Sequence, residues 1–300
     1  MEDTNFRDKM IVLALVRFAG INSRALDWLL KRFSTPHEII NAGSKELSEF
    51  SNISSDVSER IAAVDEKLEA AEKFYKELQA RDIKVVSRLD KDYPERLFEL
   101  NDPPALFYLR GSLPDNDQKT VAIVGAGQAT AEGIALTSKL SAAFSKAGVQ
   151  IVSSFGKGID YAVHLGSKTA GGASFAVLDS GFDHIDTAAD MPVAIDLVRS
   201  GGVLSEYAPD VKLGKTNYKE SNRIIVGLSQ AVVITEIYED SRHAHDILKF
   251  CHQIGKLVFF SVESENGALS DEKSLAKIAE YGAIPMEGLN KVDDIIASLV

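Results

Sequence analysis

The chain has 300 residues, with 33 Lys and Arg against 44 Asp and Glu; the net charge of −11 excludes a uniformly basic nucleic-acid footprint and leaves room only for a local basic patch. With 45% hydrophobic and 26% charged residues it is a folded globular chain rather than a disordered one, long enough for two domains. The single cysteine, Cys251, excludes an internal disulfide and a cysteine-rich zinc site, and the longest early apolar run, Met10 to Val16, is too short for a bilayer, so a cytoplasmic protein with no membrane role is expected.

The chain opens on a helical region. Apolar residues recur at helical spacing over Ile11 to Phe18 and Leu26 to Phe33, and Val57 to Leu78 is a long charged segment with no glycine or proline to break it. A small all-α domain over residues 1–82 is therefore expected, SAM-like or helix-hairpin-helix-like. Its first turn, Phe18-Ala19-Gly20-Ile21-Asn22-Ser23, has the outline of a helix-hairpin-helix but carries Asn22 where a second glycine would stand. It is read as a plain connector.

An extended stretch over Ile83 to Ser87 follows, then Pro103-Pro104, which stops any helix, and a short strand over Leu106 to Leu109. From Lys119 short β-branched runs alternate with helical segments. Strands are expected at Val121 to Val124, Val149 to Val152, Ser174 to Leu178, Val203 to Glu206, Val232 to Glu236 and Leu257 to Ser261. This alternation is the pattern of an α/β fold, a Rossmann-like, mostly parallel sheet with helices on both faces, whose ligands bind beyond the carboxyl ends of the strands.

Two glycine turns stand at such strand ends. Gly125-Ala126-Gly127 begins as a dinucleotide fingerprint, but Thr130 holds the third glycine position and no ribose-binding acid ends the next strand, so NAD and FAD are disfavoured and no cofactor is expected. The second turn, Ser154-Phe155-Gly156-Lys157-Gly158, has the chemistry of a phosphate cradle. Glycines let backbone amides approach an anion, Lys157 adds a point charge, and the next helix aims its first amides at the same spot. A Walker loop is not present, because Lys157 is followed by Gly158 instead of a hydroxyl. Lys212, Lys215, Lys219 and Arg223 fall close together further on, as a local basic patch or a solvated loop. His243 and His245 lack the spacing of a helical metal pair, and no metal is expected. Glu206 and Glu236 end two strands, where carboxylates could converge, and Tyr207, Tyr218 and Tyr238 are candidate stacking faces.

The order of these segments resembles the DprA/Smf family of bacterial DNA-processing proteins. DYPERLFELNDPPALFYLRG from Asp92, VAIVGAGQATAEG from Val121, SFGKGIDYAVHLG from Ser154, GGVLSEY from Gly201 and ESNRIIVGLSQAVVITE from Glu220 follow one another in family order. The resemblance implies an extended Rossmann-like domain over 83–300 that binds single-stranded DNA without chemistry of its own, as a homodimer that hands the strand to a RecA-type recombinase in transformation or recombination. It implies phosphate-binding roles for Gly125 and Gly127, for Ser154, Gly156, Lys157 and Gly158, and for Asn222 and Arg223, with Lys219 beside them; Glu206 becomes an anchor for backbone amides. Ala126 and Gly127 replace the family's serine and arginine, Lys157 replaces an arginine, and Ser221 replaces the first arginine of the third segment. Two alternatives stay open: a small-nucleotide sensor or hydrolase of the related LOG superfamily, and a DprA-like scaffold that has lost DNA binding.

Overall fold

The computed structural model of the chain describes residues 2–50, 53–185, 187–214, 217–263 and 270–299. The chain divides into two compact units, one made of Met1–Tyr93 and Asn101–Leu109, the other of Pro94–Leu100 and Arg110–Val300.

The first unit holds helices α1 (Glu2–Ala14), α2 (Ser23–Phe33), α3 (Pro36–Asn41), α4 (Gly43–Ser48), α5 (Ser55–Ala62) and α6 (Leu68–Ala80). An antiparallel hairpin completes it, pairing β1 (Lys84–Ser87) with the start of β2 (Leu106–Gly111), Lys84 opposite Leu109 and Ser87 opposite Leu106. Helix α1 continues as a π-helical turn, Leu15–Ala19, closed by Gly20 at φ 72°. Asn22 then starts α2, its side-chain oxygen accepting from the Ala25 amide at 2.8 Å. The helix start of this connector is thus filled by its own residue. The segment expected as one helix from Val57 to Leu78 is broken into α5 and α6. Ile61 and Val64, both wholly buried, fix the turn between them, so burial overrides local helix propensity.

The second unit is built on strands β3 (Thr120–Val124), β4 (Gln150–Ser154), β5 (Ser174–Leu178), β6 (Gly202–Ser205), β7 (Ala231–Ile234), β8 (Leu257–Glu263) and β9 (Ile284–Glu287). Helices α7 (Ala131–Lys146), α8 (Ile159–Thr169), α9 (Thr187–Ser200), α10 (Asn217–Leu228), α11 (Arg242–Ile254), α12 (Glu272–Glu280) and α13 (Val292–Ser298) alternate with them. The seven strands are parallel and lie in the order β6-β5-β4-β3-β7-β8-β9. Strands β3 to β8 fall where the sequence places them. Strand β9 is an addition to that set: Pro285 interrupts its run and only Met286 is buried, so an edge strand of this kind shows no alternation.

Every residue of β3 and β5 is buried, as a sheet covered on both faces requires. Val121 and Ile123 share one cluster with Leu140 and Phe144 of α7 and Val163 of α8. Because all seven strands run the same way, the turns after β3, β4, β6 and β7 gather at one carboxyl edge. The motif around Pro94 serves the opposite edge. There Arg96 donates to the carbonyls of Asn116 (2.8 Å) and Gln118 (3.0 Å), holding the chain as it enters β3.

Candidate functional site

The strand order reverses between β3 and β7, and the two glycine turns stand at this switch point and beside it. They touch. The Ile159 amide donates to the Ala126 carbonyl at 3.2 Å, and Gly158, at φ 66°, has no room for a side chain. A Cβ there would lie 2.5 Å from the Gly127 oxygen and 2.6 Å from that of Ala126. Glycine at 158 therefore serves both its left-handed backbone and the contact between the turns.

Among the described residues the amides of Gly127, Gln128 and Ala129 in the first turn, and of Gly156, Lys157 and Gly158 in the second, have no acceptor. Gly125 is buried under the first turn and packs against Ile159 and the Glu236 carbonyl, so it shapes the edge from beneath. Lys157 is exposed and makes no ion pair among the described residues. The same holds for Lys219, in the first turn of α10, and for Arg242, the first residue of α11. Lys212 is exposed but engaged with other groups, and Lys215 lies outside the described residues.

The second turn is braced from below. Asp160, almost fully buried, accepts the Ser154 hydroxyl, while the Ser153 hydroxyl beside it donates to the Ile123 carbonyl at 2.7 Å. Ser154 therefore spends its hydroxyl on Asp160, and its carbonyl accepts from His164 Nε2 at 2.9 Å. A carbonyl can only accept, so His164 carries its proton on Nε2 and takes the Ser174 hydroxyl on Nδ1 at 2.7 Å. Burial pushes the His164 pKa down, which favours this neutral tautomer. His164 is a structural brace for the turn.

Asn222 and Arg223 do not reach the edge as the resemblance implies. Arg223 is buried, its fork closed on Glu206 with Nη1 to Oε2 at 2.8 Å and Nη2 to Oε1 at 2.7 Å; Nη1 also donates to the Glu220 carbonyl at 2.8 Å. Glu206 thus anchors a guanidinium. Asn222 is wholly buried and donates to the His243 carbonyl at 3.3 Å, joining α10 to α11. The reason is that α10 is covered on every side: each of its residues from 221 to 228 is buried, the polar triplet Ser221-Asn222-Arg223 included.

Glu206 and Glu236 do not converge either. Glu236 is wholly buried and turned to α7, where it accepts from the Thr130 amide (2.9 and 3.2 Å) and hydroxyl (3.2 Å) and from the Tyr238 hydroxyl. Burial first, and then this bond, push the Tyr238 pKa up to about 12. The Tyr207 hydroxyl is likewise held by Glu220, and burial pushes its pKa up. Both side chains are half-buried; the Tyr218 side chain lies outside the described residues. Tyr161, in the first turn of α8 and 43% exposed, is an aromatic that sequence reasoning misses. Its only signal is its place four residues after Lys157.

His245 Nε2 donates to the Tyr238 carbonyl at 3.1 Å and holds the turn before α11. Among the described residues no three His, Cys, Asp or Glu side chains gather closely enough to hold a metal ion. Asp179, at the end of β5, is half-buried, and burial pushes its carboxyl pKa up. Among the described residues no helix is long and apolar enough to cross a membrane.

Fold and edge together define a doubly wound α/β protein whose carboxyl edge offers unclaimed amides and exposed cations. The family model of DNA recombination-mediator protein A matches residues 84–298, and the chain belongs to that family. It is 30% identical to Protein Smf of Synechocystis over 282 residues, 86% of this chain and 70% of that one. It is also 30% identical to the DNA processing protein DprA of Bacillus subtilis, over 57% of this chain and 60% of that one. Its fold matches DprA of Streptococcus pneumoniae with a TM-score of 0.67 at 24% identity, covering 93% of this chain and 99% of the other. It matches DNA processing protein A of Helicobacter pylori, which binds single-stranded DNA, with a TM-score of 0.63 at 21% identity, covering 73% and 97%.

Proposed function

We propose that this chain binds single-stranded DNA along the carboxyl edge of the second unit and acts in DNA processing and recombination, with no bond made or broken. The observation that carries this reading is the pair of joined glycine turns, whose free amides and Lys157 are the donors a backbone phosphate requires. Gly127, Gly156, Lys157 and Gly158 form the cradle, and Lys219 and Arg242 extend it as exposed charges on neighbouring turns. The single-stranded DNA binding of the Helicobacter pylori relative supports the ligand class. In this reading the protein works in the cytoplasm as a homodimer that delivers the strand to a RecA-type recombinase.

Fluorescence anisotropy of a labelled oligothymidine, titrated across a salt series, tests it. Binding that steepens at low salt and weakens in a Lys157→Ala/Lys219→Ala variant is the expected result. Absence of binding by the natural chain at low salt would overturn the proposal.

A further inference from the structure

The N-terminus of α7 is occupied from within the protein. Glu236 brings its carboxylate from the residue pair after β7 to the Thr130 amide and hydroxyl, which open that helix. Its own carbonyl accepts from the Ala126 amide at 2.8 Å, so backbone and side chain both clamp the first glycine turn. The helix is hollowed to admit it. Gly133 lies in the first turn of α7, and a Cβ there would fall on Glu236 Oε2.

In a dinucleotide-binding sheet this helix start, over the first strand at the switch point, is where a pyrophosphate rests. We infer that Glu236 is a specificity-determining residue, a built-in anion that fills the α7 terminus and makes the switch point refuse nucleotide phosphate. The partial positive charge of the helix start is already met by a full carboxylate at hydrogen-bond distance. A second anion at the α7 start would face that buried carboxylate across a few ångströms, where like charges repel.

The α8 terminus presents the contrast. Its N-cap is Gly158, which offers no side-chain cap, and its acidic residue Asp160 is turned back to the hydroxyl of Ser154. Phosphate is thereby directed away from the α7 terminus and toward the joined turns at the start of α8. The inference concerns free anions at α7 and does not rest on DNA binding.

The test compares the natural chain with Glu236→Ala and Glu236→Gln by thermal unfolding in inorganic phosphate and, separately, in acetate, with chloride holding ionic strength constant. Glu236→Ala opens the slot, so it should gain a saturable rise in midpoint in both anions beyond that of the natural chain, with an apparent phosphate affinity about tenfold tighter. Glu236→Gln still fills the slot and should gain nothing. If Glu236→Ala does not fold in chloride, its refolding yield in phosphate or acetate becomes the readout, and recovery is expected. The inference is overturned if Glu236→Ala folds and responds to anions as the natural chain does, if neither anion restores a variant that fails to fold, or if Glu236→Gln responds as strongly as Glu236→Ala.

Discussion

Arg223 and Glu206 form a two-pronged ion pair, both prongs at 2.7–2.8 Å, with the guanidinium side chain 5% exposed and the carboxylate 14%. Removing one partner breaks both prongs and takes from the other, largely buried charge its two-pronged counterion. Arg223→Ala is therefore expected to lose about 3–5 kcal/mol of stability, read from urea unfolding. Any weakening of DNA binding in that variant should follow its unfolded fraction and leave the salt slope of the folded fraction unchanged.

Lys157 behaves in the opposite way. It is exposed and unpaired among the described residues, so Lys157→Ala should change stability by less than about 0.5 kcal/mol. Its effect belongs to the ligand. The log–log salt dependence of single-strand binding should flatten by about 0.7 for each phosphate that is no longer neutralised, and an unchanged slope would remove Lys157 from the interface.

The two turns give a paired comparison. At Gly158 a methyl group meets two backbone oxygens, at 2.5 and 2.6 Å, on a residue with φ 66°. Gly158→Ala should cost at least about 1–3 kcal/mol and abolish binding by prising the turns apart. At Gly127 the space a methyl group would occupy has no neighbour within 4 Å. Gly127→Ala should leave the melting temperature near that of the natural chain.

Acid should loosen the second turn through His164. Burial holds its pKa below the ordinary 6.5, so the unfolded chain takes up a proton before the folded one. Its contribution to stability is complete above about pH 6.5 and is lost as pH falls from there toward the folded-state value. His164→Gln keeps a donor for Ser154 and an acceptor for Ser174. It should flatten the stability profile in that window, leaving the slope from His245, which burial also pushes down.

The parallel sheet is legible in the sequence because its β-branched runs and helical segments alternate, and the glycine turns because close backbone approach restricts the residue type. The direction of Arg223 is not. Its partner Glu206 lies on another element, and a polar triplet such as Ser221-Asn222-Arg223 carries no hydropathy signal that it faces inward. Glu236 is visible as a strand-end carboxylate, yet its role depends on the absence of a side chain at Gly133, about a hundred positions earlier, which only the assembled fold brings beside it.

The contact between the two glycine turns also constrains how this sequence can change. Residues 126 and 127 present their carbonyls to residue 158, and the amide of 159 is tied back to 126. A larger residue at 158 is compatible only with a displaced first turn, and a displaced first turn would release the amide of Ile159. Across relatives these positions should accordingly vary together, as one inherited unit, while the exposed lysines around them change independently.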